Sequence, residues 1–169
     1  MRKCLFLMAI ALLSASIVSA QNYMVVNSEK VFKSLTAYNN ALETLDDLAE
    51  QYQNKVDQKF SYVEQLYNSY MQQRAQLSES YRQQREQAIL KAEQEATDYQ
   101  EEIFGTDGTL MKKRVELIQP IQDKVFKTIE SFAKRYGYDL VIDTASNPTL
   151  LYYSTKVDFT DRIISELKK

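Results

Sequence analysis

The feature that most constrains the fold of this chain is a stretch of 84 residues, from Gln21 to Phe104, that contains neither glycine nor proline. Compact domains normally place these two residues at the turns between their elements. The whole chain of 169 residues has only 3 Gly and 2 Pro. An uninterrupted run of this length predicts long helices and not an ordinary globule.

A seven-residue apolar repeat runs through this stretch, and eleven of its thirteen positions are apolar. Such a strict repeat predicts the seam of a coiled coil. A second apolar series, spaced by threes and fours, extends from Ile89 to Ile103. Together the two series predict an antiparallel coiled-coil hairpin with its tip at about residues 77–82. The first seam comprises Leu35, Tyr38, Leu42, Leu45, Ala49, Tyr52, Val56, Lys59, Val63, Leu66, Tyr70, Gln73 and Leu77.

All three glycines fall outside the first helix. Gly105 and Gly108 predict a bend at about residues 104–109, since two glycines within four residues weaken a helix. A calcium loop is an alternative, but a single aspartate there is far below the usual ligand density. An apolar stripe then continues through Pro120, which predicts a kink, and Gly137 is placed to end the helix.

The two ends of the chain predict a small body. Residues 23–26, 138–142 and 150–153 are prone to form strands, and Asp158 or Thr160 can cap a last helix. The predicted fold is therefore mainly α: a helical hairpin at residues 35–136 and a small α/β body at residues 21–34 and 137–169. A body this small rarely folds alone and its strands leave open edges, so it predicts a β-rich oligomerisation hub from which the hairpins project.

The first twenty residues have the pattern of a secretory signal peptide. A basic start at Arg2 and Lys3 precedes an apolar run at residues 5–13, and Val18-Ser19-Ala20 predicts cleavage after Ala20. An uncleaved membrane anchor is the alternative, although the apolar run is short for one. Cys4 is wrongly placed for lipidation. We expect an exported protein with no stable membrane insertion.

Composition excludes most enzyme chemistries. The chain has no His, and its lone Cys4 lies in the predicted signal peptide. A Ser-His-Asp triad, a His-ligated metal and a thiolate nucleophile are therefore absent from the mature sequence. Removing Arg2 and Lys3 leaves 19 Lys and Arg against 23 Asp and Glu, a net charge of −4. We expect no nucleic acid partner, no cofactor, no metal and no catalytic residue.

Three short motifs carry a family resemblance. Residues 25–32 (VVNSEKVF), 136–143 (YGYDLVID) and 157–161 (VDFTD) resemble the Skp (OmpH-like) family of periplasmic chaperones. The resemblance covers essentially the whole mature chain in element order. It implies a homotrimer with a β-barrel-like body and three helical tentacles, which encloses unfolded outer-membrane proteins in the periplasm without ATP. The better-known members are strongly basic, so we do not carry over lipopolysaccharide binding to this acidic chain.

Aromatic residues on the hairpin are the candidates for client contact. Those beside the seam predict either a widened helix–helix contact or partly exposed rings for a sequence-tolerant partner. The leading hypothesis is a holdase that makes many weak contacts, and the alternative is a coiled-coil scaffold of the cell envelope. The predicted client-contact residues are Phe60, Tyr62, Tyr67, Tyr70 and Met71.

Overall fold

The computed structural model describes residues 22–169, so the predicted signal peptide and Cys4 lie outside the described residues. The predicted fold class is confirmed: the described chain is mainly helical, with a long helical hairpin and a small two-stranded sheet. The elements in chain order are β1 (Tyr23–Val26), α1 (Ser28–Lys33), α2 (Thr36–Gln73), α3 (Glu79–Phe104), α4 (Thr109–Tyr136), β2 (Leu140–Asp143) and α5 (Thr160–Leu167).

The chain divides into two compact units. We call residues 29–127 the hairpin unit, and residues 22–28 with 128–169 the sheet unit. The hairpin unit contains α2 and α3 and the first part of α4, whereas the sheet unit contains both strands and α5.

The hairpin begins with a helix break that no glycine or proline marks. The run without glycine or proline from Gln21 to Phe104 gave no sign of a break here, but α1 ends at Lys33 and α2 begins at Thr36. Polar side chains satisfy the backbone groups released at the break. Ser34 Oγ donates to the Val31 carbonyl at 2.7 Å, and Asn39 Nδ2 donates to the Lys33 carbonyl at 3.1 Å. Such local side-chain bonds compete with helix continuation.

The tip of the hairpin lies earlier than predicted. The 38-residue α2, about 57 Å long at 1.5 Å per residue, ends at Gln73 and is followed by a 3₁₀ turn at Arg74–Gln76. The Arg74 carbonyl accepts bonds from Leu77 N at 3.4 Å and from Arg82 Nε at 3.0 Å. The chain therefore turns at residues 74–78 and not at 77–82, since these bonds close the turn before α3 begins at Glu79.

Two packed layers form the interior of the hairpin unit. Near the start of α2, the buried side chains of Ala41 and Leu45 pack against Ile118 of α4. Toward the tip, α2 packs against α3, where Val56 and Ala96 are fully or almost fully buried. The apolar repeat in the sequence thus becomes an internal seam over most of its length.

The predicted break at Gly105 and Gly108 is confirmed, and the backbone N–H groups of both glycines are hydrogen-bonded. Gly105 N donates to the Glu101 carbonyl at 2.8 Å, and Gly108 N donates to the Gly105 carbonyl at 2.9 Å. A Cβ on Gly108 would lie 2.5 Å from the carbonyl oxygen of Ile103. The break therefore needs glycine for close backbone approach. The following helix, α4, continues through Pro120.

The sheet of the second unit is parallel, with Tyr23 opposite Leu140 and Val26 opposite Asp143. The prediction of a further strand at residues 150–153 is wrong. These residues are irregular, and the side chains of Leu151 and Tyr152 are 95% and 83% exposed. A β-prone sequence forms a strand only where a partner edge supplies the ladder bonds, and the described chain supplies none here.

Long-range packing and caps complete the sheet unit. Met24 and Ile163 have fully buried side chains, and the Phe159 ring lies 5.9 Å from the Phe132 ring. The N-cap position of α5 is Phe159, which makes no side-chain capping bond, and not Asp158 or Thr160 as predicted. Asp158 lies one residue earlier, and its Oδ1 accepts from Thr160 N at 2.9 Å. Gly137 follows α4 with a φ of 70°, the left-handed conformation expected just past a helix end.

Candidate functional site

The seam of the hairpin leaves two flanks of α2 uncovered. Eleven of the thirteen seam residues are buried or half-buried, and the exceptions are Leu42 and Gln73. Residues one position to either side of such a seam lie at the edge of the helix–helix contact. Their side chains are only partly covered by α3, and this is where most of the predicted contact residues fall.

Four of the five predicted contact residues are exposed. Phe60, Tyr67 and Met71 lie on one flank, because spacings of seven and four bring them to the same side of a helix. Tyr62 lies on the opposite flank and is 55% exposed. The structure therefore does not gather these residues into one patch. It distributes apolar side chains along both sides of the helix.

Tyr70 is the exception, because it is buried and the other four predicted contact residues are exposed. Its side chain is buried in the seam, and its hydroxyl donates a hydrogen bond to Glu86 Oε1 on α3. This hydrogen bond raises the pKa of the Tyr70 phenol. A ring that is packed between two helices cannot meet a partner without the hairpin opening. Tyr70 is therefore a structural residue, as its position in the heptad pattern already indicated.

A second exposed apolar surface was not among the predicted contacts. Leu42, Phe104, Met111 and Val115 are all partly exposed where α2, α3 and α4 meet beside the glycine break. Sequence signals for some of them existed, because Leu42 belongs to the first seam and Val115 to the apolar stripe of α4. What the sequence could not show is that the glycine break leaves these positions incompletely covered.

This surface borders a groove of about 440 Å³. Leu45, Ala49 and Ile103 form part of its apolar wall, and Asp46 and Arg114 supply charges at its margin. The groove lies within the hairpin unit, and residues of α2, α3 and α4 together with the glycine break define its shape. Its chemistry suits apolar side chains of varied size, because few polar groups fix the orientation of an occupant.

Several exposed ion pairs of the hairpin unit join residues of a single helix. Examples are Lys33 with Glu29 at 2.6 Å and Lys113 with Glu116 at 2.7 Å, which raise the pKa of each lysine through the hydrogen bond to its glutamate. Such pairs keep a helix surface soluble and contribute little to stability.

Among residues 22–169, no helix has both the length and the apolar character that crossing a bilayer requires. The same residues contain no group of three or more acidic, Cys or His side chains that could hold a metal ion.

Comparison with known proteins adds to this description. A stretch of 60 residues is 38% identical to an uncharacterised protein of Aquifex aeolicus (strain VF5) and covers 36% of this chain. The matched region spans 35% of that relative, about a third of its length. The OmpH-like outer membrane protein family matches residues 22–167, nearly the whole described chain. The protein therefore belongs to the OmpH-like outer membrane protein family.

Proposed function

We propose that this protein is an ATP-independent periplasmic holdase that binds unfolded outer-membrane proteins and prevents their aggregation. The OmpH-like family is one of periplasmic chaperones for outer-membrane proteins and not of enzymes. The observation that carries the proposal is the row of exposed apolar side chains along both flanks of the hairpin, comprising Phe60, Tyr62, Tyr67 and Met71.

Dispersed contacts of this kind suit an unfolded client. Phe and Tyr rings offer apolar faces, and the phenol of a tyrosine can remain hydrated. Met71 adds a flexible thioether that adapts to different surfaces. Each contact alone is weak, but several contacts on one chain raise the effective concentration of the next. Such binding needs no nucleotide, and the three glycines of the sequence do not form a phosphate-binding loop.

We also propose that the chain works as a homotrimer and associates through residues of the predicted body. Leu140 is 55% exposed, and the irregular segment at residues 150–153 exposes Leu151 and Tyr152 almost completely. Exposed apolar residues next to an open sheet edge favour association. The mass of the mature protein in solution tests this part, since a stable monomer contradicts it.

Suppression of aggregation tests the holdase function. An unfolded outer-membrane protein is diluted from denaturant with and without the mature protein, and light scattering is followed. We expect suppression at a stoichiometric amount of trimer. Replacing Phe60, Tyr62, Tyr67 and Met71 together by Ser should weaken it strongly, because these side chains supply the apolar contacts.

The matched control carries the same number of Ser substitutions at exposed polar positions of α2. It should suppress aggregation as the wild type does, although its helix propensity is lowered by at least as much as in the test variant. If the wild type has no effect on scattering, the holdase proposal is wrong and the scaffold alternative, which predicts binding to one folded partner, gains support. The control positions are Gln51, Gln65, Asn68 and Gln72.

A further inference from the structure

A notch lies between α2 and α3, midway along the hairpin, with a volume of about 400 Å³. It exists because Lys59 occupies a seam position that normally holds an apolar residue, and the small Ala92 lines the wall from α3. A lysine there cannot fill the space as a leucine would. The notch is lined by Lys55, Gln58, Lys59 and Tyr62 from α2 and by Ala92, Glu95 and Tyr99 from α3.

Two ammonium groups dominate the charge of this notch. Lys55 and Lys59 are one helical turn apart, and like charges at this spacing destabilise a helix. In the described part of the chain, neither has a carboxylate within ion-pair distance. Glu95 also lines the notch, but it pairs with Lys91 at 3.8 Å. The notch therefore has an excess of positive charge on a chain whose net charge is −2.

Aromatic faces lie beside these charges. The Lys59 Nζ is 5.3 Å from the centre of the Tyr99 ring, which holds the ammonium by a cation–π contact. Tyr62 lines the same notch and is exposed. A ligand group that enters would meet the ammonium held by Tyr99 and, on the same helix as that ammonium, the exposed ring of Tyr62.

We propose that this notch is a subsite for an acidic residue of an unfolded chain, with a neighbouring apolar residue packed against Tyr62. The inference rests on the proposed holdase function and deepens it by naming a preferred client feature. A carboxylate would form charge-assisted hydrogen bonds with Lys55 and Lys59 and relieve their mutual repulsion. The apolar neighbour would cover the ring of Tyr62, which is itself one of the exposed contact residues.

A peptide carboxylate fits the notch better than a lipid phosphate does. The two lysines are set in a groove with tyrosine side chains, and the acidic overall charge of the chain opposes approach to an anionic membrane surface. For an isolated acidic segment, local attraction by two nearby ammonium groups outweighs the distant charges, which salt screens. The experiment must therefore distinguish binding of a peptide carboxylate from binding of an anionic lipid.

The test compares two short labelled peptides that differ only at one position, with Asp-Phe in one and Asn-Phe in the other. Binding to the trimeric mature protein is measured by fluorescence anisotropy at low and moderate salt. We expect the Asp peptide to bind about three- to tenfold more tightly, as for one or two partly exposed ion pairs. Equal binding of the two peptides overturns the proposal.

The variant K55Q/K59Q should lose this preference and leave binding of the Asn peptide nearly unchanged. The control K112Q/K127Q removes the same charge from exposed positions of α4 away from the notch, and it should keep the preference. If both variants lose it equally, the effect is one of overall charge and the subsite is wrong. Should K55Q/K59Q fail to fold, Lys59→Met keeps the aliphatic packing and serves as the second variant.

Two further measurements separate the remaining outcomes. If K55Q/K59Q weakens binding to phosphatidylglycerol vesicles and not to the Asp peptide, the notch recognises lipid and the proposal is overturned. Suppression of aggregation of an unfolded outer-membrane protein is measured in parallel. Suppression without a preference for the Asp peptide refutes the subsite alone, whereas absence of suppression refutes the holdase function itself.

Discussion

The hairpin unit and the sheet unit are held together in different ways. In the hairpin unit, helices with local hydrogen bonds meet along a narrow apolar seam, and the flanks remain uncovered. In the sheet unit, the main contacts join residues far apart in sequence: Ser28 Oγ donates to Asp143 Oδ2 at 2.6 Å across 115 residues, and Asn27 N donates to Thr160 Oγ1 across 133. A narrow seam leaves both flanks of α2 free for a partner, whereas the nonlocal contacts of the sheet unit make its strands and α5 depend on one another.

Removal of one core side chain from each unit should reveal this difference most strongly. Ile163→Ala deletes a fully buried side chain of the sheet unit and should cost about 2–5 kcal/mol of unfolding free energy. Because the contacts there are nonlocal, the whole unit should lose hydrogen-exchange protection together. Val56→Ala in the seam should cost about 2 kcal/mol and loosen only neighbouring turns of α2 and α3.

Chemical denaturation with hydrogen exchange measures both effects. Ile164→Ala, at a half-buried position beside Ile163, is the control and should have a smaller effect. If Val56→Ala instead removes protection along the whole hairpin, the seam is as cooperative as the sheet unit and the contrast between the units is incorrect.

Glycine substitutions should sharpen the comparison, because each unit needs its glycine for a different reason. Gly108→Ala in the hairpin unit places a Cβ 2.5 Å from the carbonyl oxygen of Ile103. It should lower the free energy of unfolding by about 1–3 kcal/mol, since the neighbouring chain must shift. Gly137→Ala in the sheet unit has open space but a φ of 70°, so it should cost about 1 kcal/mol from backbone conformation alone.

Thermal unfolding of the two variants measures these costs. The discriminating residue is Asn, which tolerates positive φ better than Ala does. Gly137→Asn should recover part of the lost stability, but Gly108→Asn should recover none. Recovery at Gly108 would mean that space is not the constraint there.

The periodic part of this fold could be predicted from sequence, and the nonperiodic part could not. The heptad positions identified the seam because a coiled coil is specified by local spacing, and the same spacing places Tyr70 inside it. The break at Ser34 was missed, since it depends on side-chain bonds from Ser34 and Asn39 that have no strong sequence signal. The groove near Phe104 was missed because its exposure depends on how three helices meet.

The strand wrongly predicted at residues 150–153 shows that strand propensity alone does not produce a strand. Residues 150–153 have the composition of a strand, yet β2 pairs with β1 and not with them. Pairing depends on which edges are close in space, and that information is spread over the whole chain. A partner chain that supplied an edge could satisfy the segment, which is why we connect it with association.

Asp143 provides a pH-dependent test of the polar contacts in the sheet unit. Burial alone would raise its pKa, but hydrogen bonds from Ser28, Ala145 and Ser146 together outweigh burial and lower the pKa below its ordinary value of 3.8. The ionised form is thus favoured in the folded state. Its contribution to stability is full above pH 3.8 and is lost as the pH falls through the lowered folded-state pKa.

Asp143→Asn should therefore destabilise the sheet unit by about 1 kcal/mol at neutral pH, a modest value because the site is partly exposed. The difference from wild type should shrink in acid, where the wild-type carboxylate is itself protonated. Thermal melts at neutral pH and below pH 3.8 measure it. A difference that stays constant with pH would show that shape and not charge explains the loss.

The smallest effect is expected from Tyr70→Phe, which keeps the ring in the seam and removes only the hydroxyl bonded to Glu86. Amide exchange should rise slightly near the tip, in the last turns of α2 and the first turns of α3. Since the bond raises the pKa of the phenol above its ordinary value of 10.0, its contribution is full below pH 10.0 and disappears as the pH rises through the folded-state pKa. Tyr67→Phe on the exposed flank is the control and should leave exchange at the tip unchanged. Client binding should be unaffected by Tyr70→Phe, because a buried hydroxyl meets no client, and a marked loss of aggregation suppression would instead mean that the hairpin opens when it binds.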